Sequence, residues 1–309
     1  MKIGIMGAGG IGGYLGARLA QAGHDVRIVA RGAHLAAIQC NGLRLESPHG
    51  DFHARDVQAT DNPGDIGPVD IVIFAVKLKD TEQAAKDVAP MIGPDTRVVT
   101  LQNGIDSKRL IARFVPEGQI AAGIIYLAAH IGAPGVIVNP GGIHKSVIDA
   151  MESDPVMAEF LEAAATLVGA DVTGTNDIGH VIWEKFVALS AFSAVCCIAR
   201  QPVGVIYASP PLLDLFRDTL AENVAVARAM GQRFDDAHVE RVVEMLSHQP
   251  HGQKASMLID LEAGKPLELP WLAGRVSELG KEQGVPTPIN TTIFAALSPY
   301  IDGPPKSGG

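Results

Sequence analysis

The sequence predicts an α/β protein: an N-terminal Rossmann-type doubly wound sheet followed by an all-helical C-terminal domain. Three observations carry this. Apolar, β-branched runs alternate with helical segments through the first half of the chain, the pattern of a parallel sheet with helices on both faces. Gly7, Gly9 and Gly12 stand at G-x-G-x-x-G spacing between the first such run and the first helix. After Gly174-Thr175-Asn176 the apolar strand-like runs stop and the pattern is almost wholly helical. The expected domains are therefore residues 1–175, binding the dinucleotide, and 176–309, carrying substrate and catalysis.

Taken in order, Ile3 to Met6 reads as a buried strand stopping at Gly7, and Tyr14 to Leu19 as helix closed by Gly23. Val26 to Val29 is the second strand. In this setting Gly7 permits the tight turn, Gly9 lets a pyrophosphate approach the backbone, and Gly12 lets helix and strand pack closely. The helix N-terminus behind them offers free N–H groups and a positive dipole end that suit phosphates, so Gly7, Ala8, Gly9, Gly10, Ile11 and Gly12 are the expected cofactor-binding turn. NAD sites usually end the second strand on a carboxylate that binds the ribose 2′-hydroxyl. Here the strand runs Val29-Ala30-Arg31-Gly32, and the Arg31 guanidinium suits a 2′-phosphate. NADP(H) is the expected cofactor.

Ala33 to Gln39 is read as a short helix, Leu43 to Leu45 as an edge strand, and Asp61 to Asp65 as a turn. Val69 to Val76 is apolar throughout, as in mid-sheet parallel strands, and ends at Lys77, where open α/β sheets bind ligands. Thr81 to Met91 is helical, and Thr96 to Leu101 is a strand ending at Gln102-Asn103-Gly104. Ile120–Ala129, Gly135–Asn139 and Ile143–Ile148 read as further strands, Pro155–Gly169 as helix and Asp171–Thr173 as the last strand. The tail 303–309 is expected to be disordered.

A chain of 309 residues allows two cores, and its net charge of −9 argues against nucleic acid or an anionic membrane as partner. Three cysteines, two of them adjacent, make no disulfide framework and point to a reducing, cytoplasmic setting. The apolar stretch Phe186–Ala199 is too short to span a bilayer and reads as a core helix. His49 with His53, and His248 with His251, lack further ligands, so no metal is expected. Cys196 and Cys197 read as packing rather than nucleophiles, and Tyr14, Trp183 and Trp271 as core or cleft-wall aromatics.

Lys185 is the one lysine on an otherwise apolar helix, with Leu189, Phe192 or Ser193, and Cys196 at helical spacing on its face. One reading is a stem snorkelling at the core margin. The other is a desolvated catalytic acid with a lowered pKa. Downstream, a helix from Ser256 ends at Gly264, and Glu268 is expected to begin the next.

These motifs together resemble the ketopantoate reductase (2-dehydropantoate 2-reductase) family along nearly the whole chain. The likeness is carried by Gly7-Ala8-Gly9-Gly10-Ile11-Gly12, Val76-Lys77, Gln102-Asn103-Gly104, Trp183-Glu184-Lys185, Ser256-Met257 with Asp260, Gly264 with Glu268, and Gly284-Val285-Pro286-Thr287-Pro288. The resemblance implies NADPH-dependent reduction of a small 2-oxo acid, with Lys185 as proton donor and Glu268 between cofactor and substrate. It further implies that Arg31 and Lys77 hold the 2′-phosphate and that Asn103 and the backbone near Ala129 line the dinucleotide. Ser256 would bind the substrate carboxylate, with Leu189, Ser193 and Gln253 completing the substrate wall. The family pattern has asparagines where this chain has Leu189, Ser193 and Val203, which makes the pocket more apolar. A less polar 2-oxo acid, branched or aromatic, is thus the alternative to ketopantoate, and a non-catalytic NADP(H) sensor is the rival of a different class. The expected assembly, if any, is a homodimer.

Overall fold

The computed structural model describes residues 1–305 and forms two compact units, Met1–Ile178 and Gly179 onward. The expected tail lies partly outside this range. Of it, Gly303 is buried and its N–H donates to the Tyr300 carbonyl, and residues 306–309 are not described.

The first unit opens with β1 (Lys2–Met6), α1 (Gly10–Gln21), β2 (Asp25–Val29) and α2 (Gly32–Asn41). Three short strands follow, β3 (Leu43–Glu46), β4 (Phe52–Ala54) and β5 (Gln58–Thr60). Then come β6 (Ile71–Phe74), α3 (Thr81–Asp87), β7 (Arg97–Thr100), α4 (Ser107–Ile111) and β8 (Ile120–Tyr126). The unit closes with β9 (His130–Ala133), β10 (Val136–Val138), β11 (Lys145–Asp149), α5 (Pro155–Ala165) and β12 (Asp171–Thr175).

Its main sheet has the order β12-β11-β8-β7-β6-β1-β2-β5. All neighbours are parallel except β11 against β8. Alternation along the strands sorts side chains onto two faces. Ile3, Ile5, Ile71 and Ile73 join one core with Tyr14, Ala17 and Leu19 of α1 and Phe160 of α5. Met6, Val72, Phe74 and Val98 join the other with Ala84 and Ala85 of α3 and Ile111 of α4. Helices on both faces are what the doubly wound reading requires.

Three expectations need correction. Leu43–Leu45 is not an edge strand. β3 lies inside a second sheet of order β4-β3-β10-β9, whose Leu43, Leu45 and Ile137 pack with α1 in the first core. The pattern of β3 resembles an edge because Arg44 and Glu46 face solvent while Leu43 and Leu45 are buried. The segment 81–91 is not one helix: α3 ends near Val88 and a single 3-10 turn covers Ala89–Met91, because Pro90 removes a donor. The apolar helix is also longer than the Phe186–Ala199 stretch that reads as too short to span a bilayer.

That helix is α6 (Ile178–Ala199), followed by α7 (Val203–Ala208), α8 (Pro210–Ala229), α9 (His238–Ser247), α10 (Ser256–Glu262), α11 (Ala273–Gln283) and α12 (Pro288–Leu297). With 22 residues α6 is long and apolar enough to cross a membrane, but 67% of its most apolar window is buried within the protein, as in a core helix. Phe186, Val187, Ala191 and Val195 are at most 2% exposed. Asn223 of α8 donates from Nδ2 to the Val187 carbonyl at 3.0 Å. The Glu222 carboxylate beside it accepts from Ile289 and Asn290 N–H at 2.8 and 2.9 Å, capping α12.

Candidate active site

In the first unit the order of strands reverses at β1, between β2 and β6, and ligands of open α/β sheets bind at such a switch point. Gly7 follows β1 with φ +99°, and a Cβ there would lie 2.8 Å from Val76 Cγ1 and 3.1 Å from Val76 N. Only glycine fits both the angle and the contact. A Cβ on Gly12 would come 2.0 Å from the Gly7 carbonyl oxygen, so α1 rests directly on the turn. Gly9, the N-cap of α1, has open space on its Cβ side, where nothing lies within 4 Å. Ala8 is buried, whereas Gly9, Gly10 and Ile11 are half-buried, and the first turn of α1 has no acid. The loop after β8 reaches this turn, since a Cβ on Gly10 would strike the Ala129 carbonyl at 2.0 Å.

The parallel register brings the remaining candidates to the same edge. Met6 is level with Val29 and Phe74, and Phe74 with Thr100. Arg31 follows β2 with its side chain 69% exposed, 3.7 Å from the Asp87 carboxylate. Lys77 follows β6 and is exposed, and Asn103 follows β7 half-buried. A residue that sequence reasoning left without a role holds these loops together. Gln102 donates from Nε2 to Val76 O and Thr81 Oγ1, both at 2.8 Å, and accepts from Thr100 Oγ1 at 3.1 Å. Its place directly before Asn103 was the available signal.

In the second unit Lys185 lies in α6 at 8% exposure. Burial pushes its ammonium down to about 8, and the Glu268 carboxylate pulls the other way, so the two are in electrostatic reach. Glu268, expected in both the catalytic and the cofactor set, is half-buried in this unit. It does not begin a long helix: it caps one 3-10 turn, Leu269–Trp271, and α11 starts only at Ala273 because Pro270 allows no continuing ladder.

Further along the same face of α6, Leu189 is half-buried and Ser193 fully buried with its hydroxyl unpartnered. Ser190, also fully buried with an unpartnered hydroxyl, was not anticipated. Ser193 stands about 12 Å from Lys185 along the axis, at roughly 1.5 Å per residue. Cys196, one turn beyond, interacts with the Ala255 backbone, which brings Ser256 at the start of α10 to this half of α6. Gln253 enters through its backbone: its carbonyl accepts from Val203 N–H at 2.9 Å, while its side chain is on the exposed surface with Ser256. The substrate-side candidates are thus strung along α6. Lys185, with Glu268 in electrostatic reach, comes before Leu189 and Ser193, and Ser256, Gln253 and Val203 lie towards the C-terminal half of the helix.

Burial pushes the Cys196 and Cys197 thiols up to about 11 and about 12, which leaves them poor nucleophiles, while Cys40 is exposed. Tyr14 and Trp183 are core residues, edge-on to His144 and Phe186 respectively. Among the described residues no three His, Cys, Asp or Glu side chains gather as metal ligands.

A glycine turn at the switch point of a doubly wound sheet, with a separate helical unit that holds a desolvated lysine beside a glutamate, defines a Rossmann-type oxidoreductase. Residues 3–152 match the family Ketopantoate reductase PanE/ApbA, and residues 177–300 match its C-terminal family. The chain belongs to the ketopantoate reductase family. It is 32% identical to a 2-dehydropantoate 2-reductase of Mesorhizobium japonicum, over 96% of this chain and 97% of that one. It is also 32% identical to a 2-dehydropantoate 2-reductase of Archaeoglobus fulgidus, over 95% of each. The crystal structure of a PanE/ApbA family ketopantoate reductase from Ralstonia eutropha superposes with a TM-score of 0.88 at 31% identity, covering 97% of this chain and 98% of that one.

Proposed function

We propose that the protein reduces a 2-oxo acid to the 2-hydroxy acid with NADPH, with 2-dehydropantoate to pantoate as its reaction. The carrying observation is Lys185, buried beside Glu268 with an ammonium that releases its proton near pH 8. Such a group is charged at neutral pH and gives up a proton at little cost. In the assignment we favour, 1–175 serves the cofactor and 176–309 the substrate.

The residues of the first unit suit a dinucleotide. Gly9 leaves open space at the start of α1, and the helix brings N–H groups and dipole to a pyrophosphate. Arg31 and Lys77, both exposed beyond the strand ends, suit a 2′-phosphate, while Asn103 and the Ala129 backbone border the same edge. When bound, NADPH supplies the hydride for C2 of the oxo acid. Lys185 protonates the carbonyl oxygen, and its charge stabilises the oxyanion as it develops. Glu268 keeps part of the Lys185 population protonated by its field. The Ser256 hydroxyl, exposed at the first turn of α10, binds the substrate carboxylate. The partner is a small 2-oxo acid, and a cytoplasmic setting suits three free thiols.

A second reading is favoured by Leu189 and Val203, apolar where the family pattern has asparagines, Val203 being 2% exposed. It keeps the chemistry and exchanges ketopantoate for a branched or aromatic 2-oxo acid. NADPH oxidation across ketopantoate and such acids, with NADH and Lys185→Ala as controls, tests both. Preference for ketopantoate supports the first reading, and preference for an apolar acid supports the second. Turnover that survives Lys185→Ala refutes the mechanism.

A further inference from the structure

We propose that the first unit binds a small inorganic anion, of the charge and size of chloride, at the buried junction of α1 and β11, between Tyr14, Arg18, His144 and Ser146. Tyr14 and Arg18 are four residues apart on α1 and share a face, with Arg18 Cζ 5.5 Å from the Tyr14 ring centre. The Tyr14 ring meets His144 edge-on, centres 5.2 Å apart. His144 immediately precedes β11 and Ser146 lies within it. Alternation puts both on the face through which Ile148 enters the core that α1 covers. The four residues are 0%, 1%, 5% and 2% exposed.

Nearly every polar atom they carry lacks a partner: Tyr14 Oη, Arg18 Nε and Nη2, both ring nitrogens of His144, and Ser146 Oγ. Arg18 makes one hydrogen bond, from Nη1 to Gln21 Oε1 at 2.7 Å. A native interior seldom leaves one such atom unpaired, and here six belong to four buried residues of α1 and the start of β11. Arg18 Nε and Nη2 only donate, while the two hydroxyls and neutral His144 each have one proton to give besides their capacity to accept. Burial holds the His144 imidazole down to about 4, with Arg18 and His49 acting in the same direction and Asp171 against them, so His144 adds no charge near neutrality. The guanidinium is therefore a buried cation among donors, and no carboxylate bonds to it. A buried charge of this kind is costly unless a counter-charge meets it. One monoanion neutralises Arg18 and accepts from its neighbours at once. The Tyr14 ring is in edge contact with His144 at 5.2 Å and under the Arg18 guanidinium at 5.5 Å, so the packing admits a monatomic ion at the rim of these contacts and not a larger oxyanion. The ion would pin α1, whose opposite end carries the glycine turn, to the antiparallel side of the sheet.

The test compares the unfolding midpoint of the full-length protein in sodium chloride, sodium bromide and sodium gluconate at equal ionic strength. It is paired with bromine anomalous scattering from crystals grown in bromide. Halide is expected to raise the midpoint by about 3 °C or more over gluconate, with a bromine peak against the Arg18 guanidinium. Tyr14→Phe and Ser146→Ala are expected to shrink the halide effect and Arg18→Met to remove it. If Arg18→Met does not fold, the two milder variants carry the comparison. Equal midpoints in the three salts, or water alone at the Arg18 site in the bromide crystals, overturn the proposal, as does a halide effect that none of the variants changes.

Discussion

Arg31 and Lys185 are both cations proposed to meet small anionic molecules, and their surroundings are opposite. The Arg31 side chain is 69% exposed beyond a strand end, whereas Lys185 is 8% exposed inside an apolar helix. A phosphate can be gripped in water, because the guanidinium keeps its charge there and its fork fits two oxygens. A proton is not given readily by an ammonium whose pKa is the ordinary 10.5, so the acid has to be desolvated until its pKa approaches neutrality. The exposed site is built for charge, and the buried one for a change of charge.

The largest expected break in this contrast is Lys185→Met. Reduction should fall by about 10²- to 10⁴-fold while NADPH still binds, as single-turnover kinetics and cofactor fluorescence titration would show. In the parent protein, kcat/KM for reduction should decline above about pH 8, and oxidation of the hydroxy acid should rise through the same pH. Glu268 raises the Lys185 pKa, so Glu268→Gln should move that decline to lower pH.

Next in size is stability. The Lys185 pKa is about 8 folded against 10.5 as the reference, so between those values the unfolded chain binds more protons and folding strengthens as pH rises. Below pH 8 the full penalty of burial, about 3 kcal/mol, is present. Lys185→Met should therefore be more stable than the parent at pH 7 in urea unfolding, with the gap closing towards pH 10.5. At the exposed site, Arg31→Ala should raise the KM for NADPH about tenfold, leave that for NADH unchanged, and weaken the salt dependence of NADPH binding. The smallest expected effect is Leu189→Asn, which should improve ketopantoate relative to apolar 2-oxo acids by about threefold, in competition between substrates.

The same contrast explains what could be read from sequence. Strands β1, β6 and β7 are apolar runs buried almost throughout, β2 carries buried Val26, Ile28 and Val29, and their pattern announces them. β4, β5 and β9 are three or four residues of mixed polarity, such as Gln58-Ala59-Thr60, and exist only because a neighbouring strand pairs with them. Gly7, Gly12, Arg31 and Lys77 could be placed because each follows a recognisable strand or opens a recognisable helix. Lys185 could be singled out, but its link to Glu268 spans eighty-odd residues of chain and follows from folding alone. The cluster of Tyr14, Arg18, His144 and Ser146 was illegible for the same reason. Tyr14 reads as an ordinary core aromatic until the helix carrying it is laid against β11.

The distribution of sulfur has a practical outcome. With two thiols sealed in α6 and held in the protonated form, Cys40 at the end of α2 is the reactive one. One equivalent of maleimide dye should attach there under native conditions. That gives a single fluorophore on the Rossmann unit with which to follow nucleotide arrival, without removing any cysteine.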